Sequence, residues 1–415
     1  MERTSRTPGR PSVNPFSDRP LRLLLVSPFL PHARARHAGG RLVHYLVQRL
    51  SERFEVEVAS RCRPGEEAAA ATLGRQVAAL HLAPAAPTYR EGNPISFLRS
   101  LRSVRGLARL AQRLLAERRF DLCQVEYSEL GFFWRAGGAT PCFLTCHDVR
   151  AKPARRLYER ARGAGRPAAW LSWRLQQELE GRAVRRFHGL FTLSEEDRRW
   201  LARTYGELPA RVLRYPGGVG FAGLPRAEVA GRVGYLGTLN RQVNADGVRW
   251  LVREVWPRVM EEVADAELVV AGVGGAPKLA AEIGRTPRAR FLGEVDDAEA
   301  FAKSAAVIAA PVLVGGGVIV KVLDALAAGV PVVTTPRGNE GIEAVAGRDL
   351  GVAETAESFA AEVGALLRDP ARRAAFARAG REFAARSFSP EAFAFTLEGA
   401  YREALARRSS AGSGG

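Results

Sequence analysis

The stretch AVIAAPVLVGGGVIVKVLDALAAGVPVVTT, residues 306–335, decides how this chain reads. It divides into a strand (Ala306 to Pro311), a glycine-rich loop (Gly315, Gly316, Gly317), a short helix (Ile319 to Ala328) and a second strand (Pro331 to Thr335). That order places the unhindered amides of Gly315 to Val318 and a helix N-terminus where an anion would sit. Lys321 follows one turn into the helix. The alternative is an ordinary βαβ turn whose glycines serve close packing. Composition favours the anion site: only four lysines (Lys152, Lys278, Lys303, Lys321) stand among 61 basic residues, so an ammonium at this point is not the chain's habitual surface charge.

The charge is lopsided. Residues 1–225 carry 38 Lys and Arg against 20 Asp and Glu, whereas residues 226–415 carry 23 against 24. A first half of +18 beside a neutral second half attracts nucleic acid, an anionic membrane or a phosphate-bearing substrate. Nucleic acid is the weakest of these, since no zinc-finger spacing, aromatic RNA-binding motif or basic-region heptad is present. With 415 residues and 47 % hydrophobics, two full cores are the natural expectation.

The early apolar run Leu23 to Leu30 is broken by Ser27 and Pro28 and is far short of the ~20 residues a membrane helix needs. Residues 1–20 are rich in Arg, Pro and Ser without an apolar centre, which reads as a disordered arm rather than a signal peptide. The tail RRSSAGSGG, residues 407–415, reads as a flexible end. Four cysteines (Cys62, Cys123, Cys142, Cys146) imply a reducing, cytoplasmic setting without a disulfide framework. Cys142 and Cys146 share one expected strand and lie too far apart to bridge. Cys146 and His147 lack a second ligand pair at zinc spacing, so no metal is expected.

Strand-like and helical runs alternate, which predicts parallel α/β architecture. In the first half the strands read Leu21–Ser27, Glu55–Ala59, Val77–Leu82, Leu122–Val125, Cys142–Thr145 and Leu190–Leu193. Helices are expected at about Gly40–Arg53, Ile95–Arg118, Arg155–Arg186 and Glu195–Tyr205. Ser194 with Asp197 three residues on reads as a helix cap rather than a nucleophile. A second series has strands at Val233–Leu236, Leu268–Ala271, Arg290–Leu292, Val307–Ala310 and Val330–Thr334, with helices at about Ala245–Ala264 and Asp297–Ala302. Asp297 is read as the cap of the latter. Helical stretches at Ala356–Leu367, Pro370–Arg386 and Pro390–Ala406 close the chain. The joint is YPGGVG, residues 215–220, running on to Pro225. The expected domains are 21–222 and 223–386, followed by a helix at 387–406 packing back across them. Ligands of such folds bind at the carboxyl ends of the strands, here in the cleft between domains.

Over roughly residues 21–405 the chain resembles the group 1, family 4-like glycosyltransferases with the GT-B fold. Four segments carry the likeness: LLLVSPFLP with HAGGRLVHYLVQRL; VGYLGTLNRQVNADGVRWLV; LGEVDD with the stretch quoted first and PRGNEGIEA; and RDPARRAAFARAGREFAARSFSPE. The glycine-rich pattern resembles the branch of exopolysaccharide-type sugar transferases.

The resemblance implies transfer of a sugar from a nucleotide-sugar donor to a polysaccharide or glycolipid acceptor, retaining and metal-independent, with no cofactor. It implies Lys321, Gly315, Gly316, Gly317 and Val318 for the diphosphate and Asp324 for the ribose, with Gly237 and Arg241 approaching from the first donor-domain strand. Gly39 and Gly40, expected as a loop before the first helix, would approach the sugar and diphosphate. His147, expected to face the cleft at a strand's end, would position the reacting groups or handle a proton. His32, His37 and His44 support no ligand set by themselves.

Three departures stand out. Gly316 occupies the first acid position of an acid–seven residues–acid pattern, Ile319 stands where arginine is common, and the linker carries neither Asn nor Asp. They leave open a GT-B protein that binds nucleotide sugar or glycan without turnover. The basic helical segment around Trp170, Leu171, Trp173 and Leu175 reads either as a surface for an anionic membrane carrying a lipid-linked acceptor or as a buried aromatic patch under an arginine coat.

Overall fold

In the computed structural model, which describes residues 20–33, 35, 38–85, 94–135, 137–274 and 277–412, the apolar runs become the strands of two parallel sheets. The arm before residue 20, His37 and the last three residues lie outside the described set. The first sheet holds β1 (Leu21–Ser27), β2 (Phe54–Cys62), β3 (Ala79–Pro84), β4 (Leu122–Glu126), β5 (Cys142–Cys146), β6 (Gly189–Thr192) and β7 (Ala210–Val212) in the order β3-β2-β1-β4-β5-β6-β7. The second holds β8 (Val229–Leu236), β9 (Glu267–Ala271), β10 (Ala289–Gly293), β11 (Ala305–Ala310), β12 (Val332–Thr334) and β13 (Gly351–Val352) in the order β10-β9-β8-β11-β12-β13.

Helices cover both faces of each sheet, which is why inner strands such as β11 are apolar on both faces rather than alternating. In β11, AAVIAA, every residue is buried. Val307 and Ala309 enter the core around Trp256, whereas Ile308 and Ala310 pack on the other side with Leu323 and Phe383. In both sheets the strand order reverses once, between β1 and β4 and between β8 and β11. Crevices for ligands open at the carboxyl ends of such strand pairs.

Two devices join the halves. The Glu299 carboxylate accepts from the linker amides of Ala222, Gly223 and Leu224 at 2.6, 3.2 and 2.8 Å and pairs with Lys303 at 2.7 Å. The last helix, Pro390–Gly412, returns to the first domain. There Phe393, Leu397 and Tyr401 join the β1 core, and the Tyr401 hydroxyl donates to Gln124 at 2.8 Å.

Several expected elements differ. The single helix expected from Arg155 to Arg186 is two helices, Ala151–Arg160 and Gly165–Val184, because Ala161 is extended and Gly163 takes a φ of +55°. The helix expected over Ala245–Ala264 runs from Gln242 to Glu262, with a π turn at Leu251–Val255 just ahead of Pro257. The third strand sits two residues later than its composition implies. The edge strands β7 and β13 and the helices Glu67–Gly74 and Pro277–Arg285 were not anticipated. Ser194 and Asp297 are caps as read, accepting from the amides of Asp197 and Ala300. The four cysteines are free; β4 and β5 bring Cys123 beside Cys142 as register partners.

Candidate functional site

The glycine loop leaves the carboxyl end of β11, and Gly237 follows β8, so both lie at the switch point of the second sheet. The loop needs glycine for conformation: φ is +129° at Gly315 and +75° at Gly317. Among the described residues, the amides of Gly315, Gly316 and Gly317 donate no hydrogen bond. The helix behind them is Val320–Ala327, which puts Lys321 in its first turn.

Lys321 turns toward β8. Its ammonium donates to the Tyr235 hydroxyl at 2.8 Å and to Asn244 Oδ1 at 3.3 Å, and lies 4.3 Å over the Tyr235 ring. A Cβ added to Gly237 would stand 3.3 Å from Nζ, so the two expected residues are brought together. No carboxylate pairs with Lys321 among the described residues. Burial lowers its pKa to about 7, with the nearby Arg241 charge acting in the same direction. Arg241 is exposed at the N-cap position of the helix Gln242–Trp250, and its charge reaches the site.

Asp324, one turn past Lys321, is already engaged. Its Oδ1 accepts from the Gly218 amide at 2.9 Å, and Oδ2 lies 3.4 Å from Arg41 of the first domain. Burial lifts its pKa to about 6 against the opposing effects of Arg41 and the Gly218 amide. The linker therefore does contact the site through its backbone, although it lacks the side chains expected there. Gly39 and Gly40 are not a loop. The helix Ala38–Ser51 starts early enough to take both into its first turn, next to Arg41.

His147 follows β5 as expected, but its ring does not face the cleft. It is 6 % exposed, stacks on Tyr127 at 3.9 Å and bonds through Nε2 to Glu126 Oε2 at 2.6 Å. Glu126 is fixed in turn by Gln124 and Thr145 at 2.8 and 2.9 Å. The ring turns inward because this polar network lies under the sheet's end. Its main chain and neighbouring Asp148 approach the donor domain: a Cβ on Gly317 would stand 3.4 Å from Asp148 Oδ1, 3.8 Å from the His147 carbonyl and 3.9 Å from Asp197 Oδ2.

Sequence reasoning missed Tyr235, Asn244, Arg41 and Glu126. Asn244 had a signal, as the first member of the Asn–x–Asp in the resembling segment. The others had none, because each acts from a different segment than its partner.

The aromatic segment of the first domain divides between a stacked pair and exposed apolar side chains. Trp173 stacks on Tyr158 at 5.3 Å beneath Arg155 and Arg174, while Leu157, Trp170, Leu171 and Leu175 are 48–61 % exposed. No helix among the described residues is long and apolar enough to cross a membrane.

Comparison with known proteins agrees with this architecture. Residues 39–220 match Glycosyltransferase Family 4, and residues 230–369 match Glycosyl transferases group 1. No curated protein matches the sequence. Among solved structures, sucrose-phosphate synthase from Thermosynechococcus elongatus superposes with a TM-score of 0.69 at 17 % identity, over 93 % of this chain and 100 % of that one. Anabaena HepE in complex with UDP-glucose gives 0.62 at 13 % identity, over 94 % and 100 %. WaaG, a glycosyltransferase involved in lipopolysaccharide biosynthesis, gives 0.59 at 15 % identity, over 90 % and 99 %. At these identities the likeness establishes the fold. The chain is thus a glycosyltransferase family 4 domain followed by a group 1 glycosyl transferase domain, in the GT-B arrangement.

Proposed function

We propose that this protein transfers a sugar from a nucleotide-sugar donor to a glycan or lipid-linked acceptor. One observation carries the reading: a largely desolvated lysine, without a carboxylate partner among the described residues, beside a glycine loop with free amides at a sheet's switch point. A cation partly withdrawn from water without an anionic partner is costly, and a diphosphate supplies the missing charge. The leaving nucleotide gathers negative charge as the glycosidic bond breaks. Lys321, Arg241, the loop amides and the helix N-terminus stabilise that charge without requiring a metal. Asp324, one turn on, accepts ribose hydroxyls once the donor displaces Arg41. His147 is a positioning group: its bond to Glu126 orients the strand end that faces the glycine loop. The HepE complex with UDP-glucose gives the first donor to try.

The basic first domain is the acceptor side, and its outer face suits an anionic membrane. Arg99, Arg102, Arg105 and Arg109 are exposed on one helix, without an ion-pair partner among the described residues. The apolar side chains of the paired helices Ala151–Arg160 and Gly165–Val184 stand out among further arginines. Retention of anomeric configuration and a role in exopolysaccharide synthesis belong to the same proposal and rest on the sequence resemblance alone.

A second reading, donor binding without turnover, is favoured by the engaged Asp324 and the inward His147 ring. A thermal-shift panel of nucleotides and nucleotide sugars tests both, since a ligand of the folded state raises its stability. A raised melting temperature without release of nucleotide in the presence of glycan or glycolipid acceptors selects the second reading. No shift with any nucleotide overturns both.

A further inference from the structure

A second charged cluster crosses the cleft on the other side of the glycine loop. Lys152 and Arg156, on the helix Ala151–Arg160 of the first domain, converge on Glu340 of the second. Arg156 Nη2 donates to both Glu340 oxygens at 2.9 and 2.8 Å, and its Nη1 donates to the Gly315 carbonyl at 2.9 Å. The Lys152 ammonium contacts the same carboxylate and is anchored by Asp197 at 3.1 Å. These are not surface pairs, for the Lys152 and Glu340 side chains are 5 % and 18 % exposed. Burial would raise the Glu340 pKa, but the two cations hold it below the usual carboxylate range, so the group is an ionised acceptor.

The placement of this carboxylate is informative. A Cβ built on Gly316 would lie 3.4 Å from Arg156 Nη1 and 3.8 Å from Glu340 Oε1, and one on Gly315 would meet no atom within 4 Å. The Arg156 guanidinium and this carboxylate therefore line the space beside Gly316 at ordinary van der Waals distance, next to open space over Gly315. A diphosphate seated between the loop amides and Lys321 would direct its sugar toward this first-domain edge. Sugar hydroxyls are donors that need fixed acceptors, and a carboxylate offers about four lone-pair sites.

We propose that Glu340, held over Gly316 by Lys152 and Arg156 of the facing domain, accepts hydrogen bonds from the hydroxyls of the transferred sugar. The inference rests on the donor-site reading above. It assigns sugar recognition to a carboxylate that both domains must combine to position, so the sugar subsite is complete only when the domains meet.

Glu340→Gln, which preserves shape, tests it by calorimetric titration with UDP, GDP, ADP and dTDP and with their sugar conjugates. The expected result is plain-nucleotide affinity within about twofold of the parent and a loss of about tenfold for the preferred nucleotide sugar, as for one charge-assisted hydrogen bond. Gly316→Glu combined with Glu340→Ala should restore most of that loss. The new side chain starts beside the same spot, and Gly316 does not use a left-handed backbone. If the parent protein binds no plain nucleotide, the donor-site reading fails and this inference with it. If plain nucleotides bind normally, three results overturn the inference alone: an equal loss for nucleotide and nucleotide sugar, no loss for any sugar, or no restoration in the double variant. An equal loss would make Glu340 only a domain clamp.

Discussion

The Lys321 ammonium lies 4.3 Å above the ring of Tyr235 and 2.8 Å from that ring's hydroxyl, so one aromatic side chain both supports the cation and aims it. A ring face attracts a cation without neutralising it. The lysine is thereby fixed in position with its charge still available to an anion.

Lys321→Ala should weaken nucleoside-diphosphate binding about tenfold to a hundredfold, the range for a lost charge-assisted contact. Tyr235→Phe keeps the ring and removes one hydrogen bond, so a loss of about twofold to tenfold is expected. Isothermal titration against the parent protein checks both. Unchanged affinity in Lys321→Ala removes the lysine from the donor site.

Donor binding should depend on pH near neutrality. Burial and Arg241 lower the Lys321 pKa to about 7 in the empty site, and a bound diphosphate favours the ammonium. Between that pH and the Asp324 value of about 6 the lysine is already charged, and its contribution to affinity is flat. Above it binding must take up a proton, so affinity falls by up to about tenfold per pH unit. A nucleotide sugar is the suitable probe because its diphosphate does not titrate in this range. Titration in two buffers of different ionisation enthalpy at pH 8 should show proton uptake, which Lys321→Ala abolishes. Affinity that rises with pH contradicts the assignment.

Asp324→Ala should weaken nucleotide binding about tenfold and, more tellingly, erase discrimination between a nucleoside diphosphate and its 2′,3′-dideoxy analogue. Arg41→Ala should act the other way, since it releases the 3.4 Å contact that the ribose must displace. Discrimination retained in Asp324→Ala assigns the ribose to another acceptor.

Transfer should persist in excess chelator, because in the proposed function Lys321, Arg241 and the loop amides meet the charge of the leaving nucleotide. A rate assay with and without a divalent-ion chelator decides it. A strict requirement for magnesium or manganese defeats this expectation.

The outer face of the first domain should bind phosphatidylglycerol vesicles in preference to phosphatidylcholine, and binding should fade as salt shortens the ~8–10 Å screening length. Trp170→Ser with Leu171→Ser removes two exposed apolar side chains and should reduce vesicle affinity by about fivefold or more. Co-sedimentation across a salt series reads this out. Equal binding to both lipids at low salt refutes an electrostatic contact.

Much of the second domain's logic was legible in the chain itself. Buried parallel strands demand unbroken apolar runs such as AVIAA, and the loop's backbone angles demand glycine at 315 and 317. These requirements act within a few residues, so they leave local traces. Lysine's rarity was a trace as well: Lys152 bridges the domains and Lys303 anchors the linker's carboxylate clamp, while Lys321 faces the site. Only the tertiary structure decided what those residues meet. Tyr235 reaches Lys321 across 86 residues, Arg41 reaches Asp324 across 283, and Arg156 reaches Glu340 across 184. Composition and periodicity carry no record of such partners. Each contact depends on how strands order themselves in a sheet and how two domains meet across a cleft. The same cause turned the His147 ring inward to Glu126, where its place at a strand's end had implied the cleft.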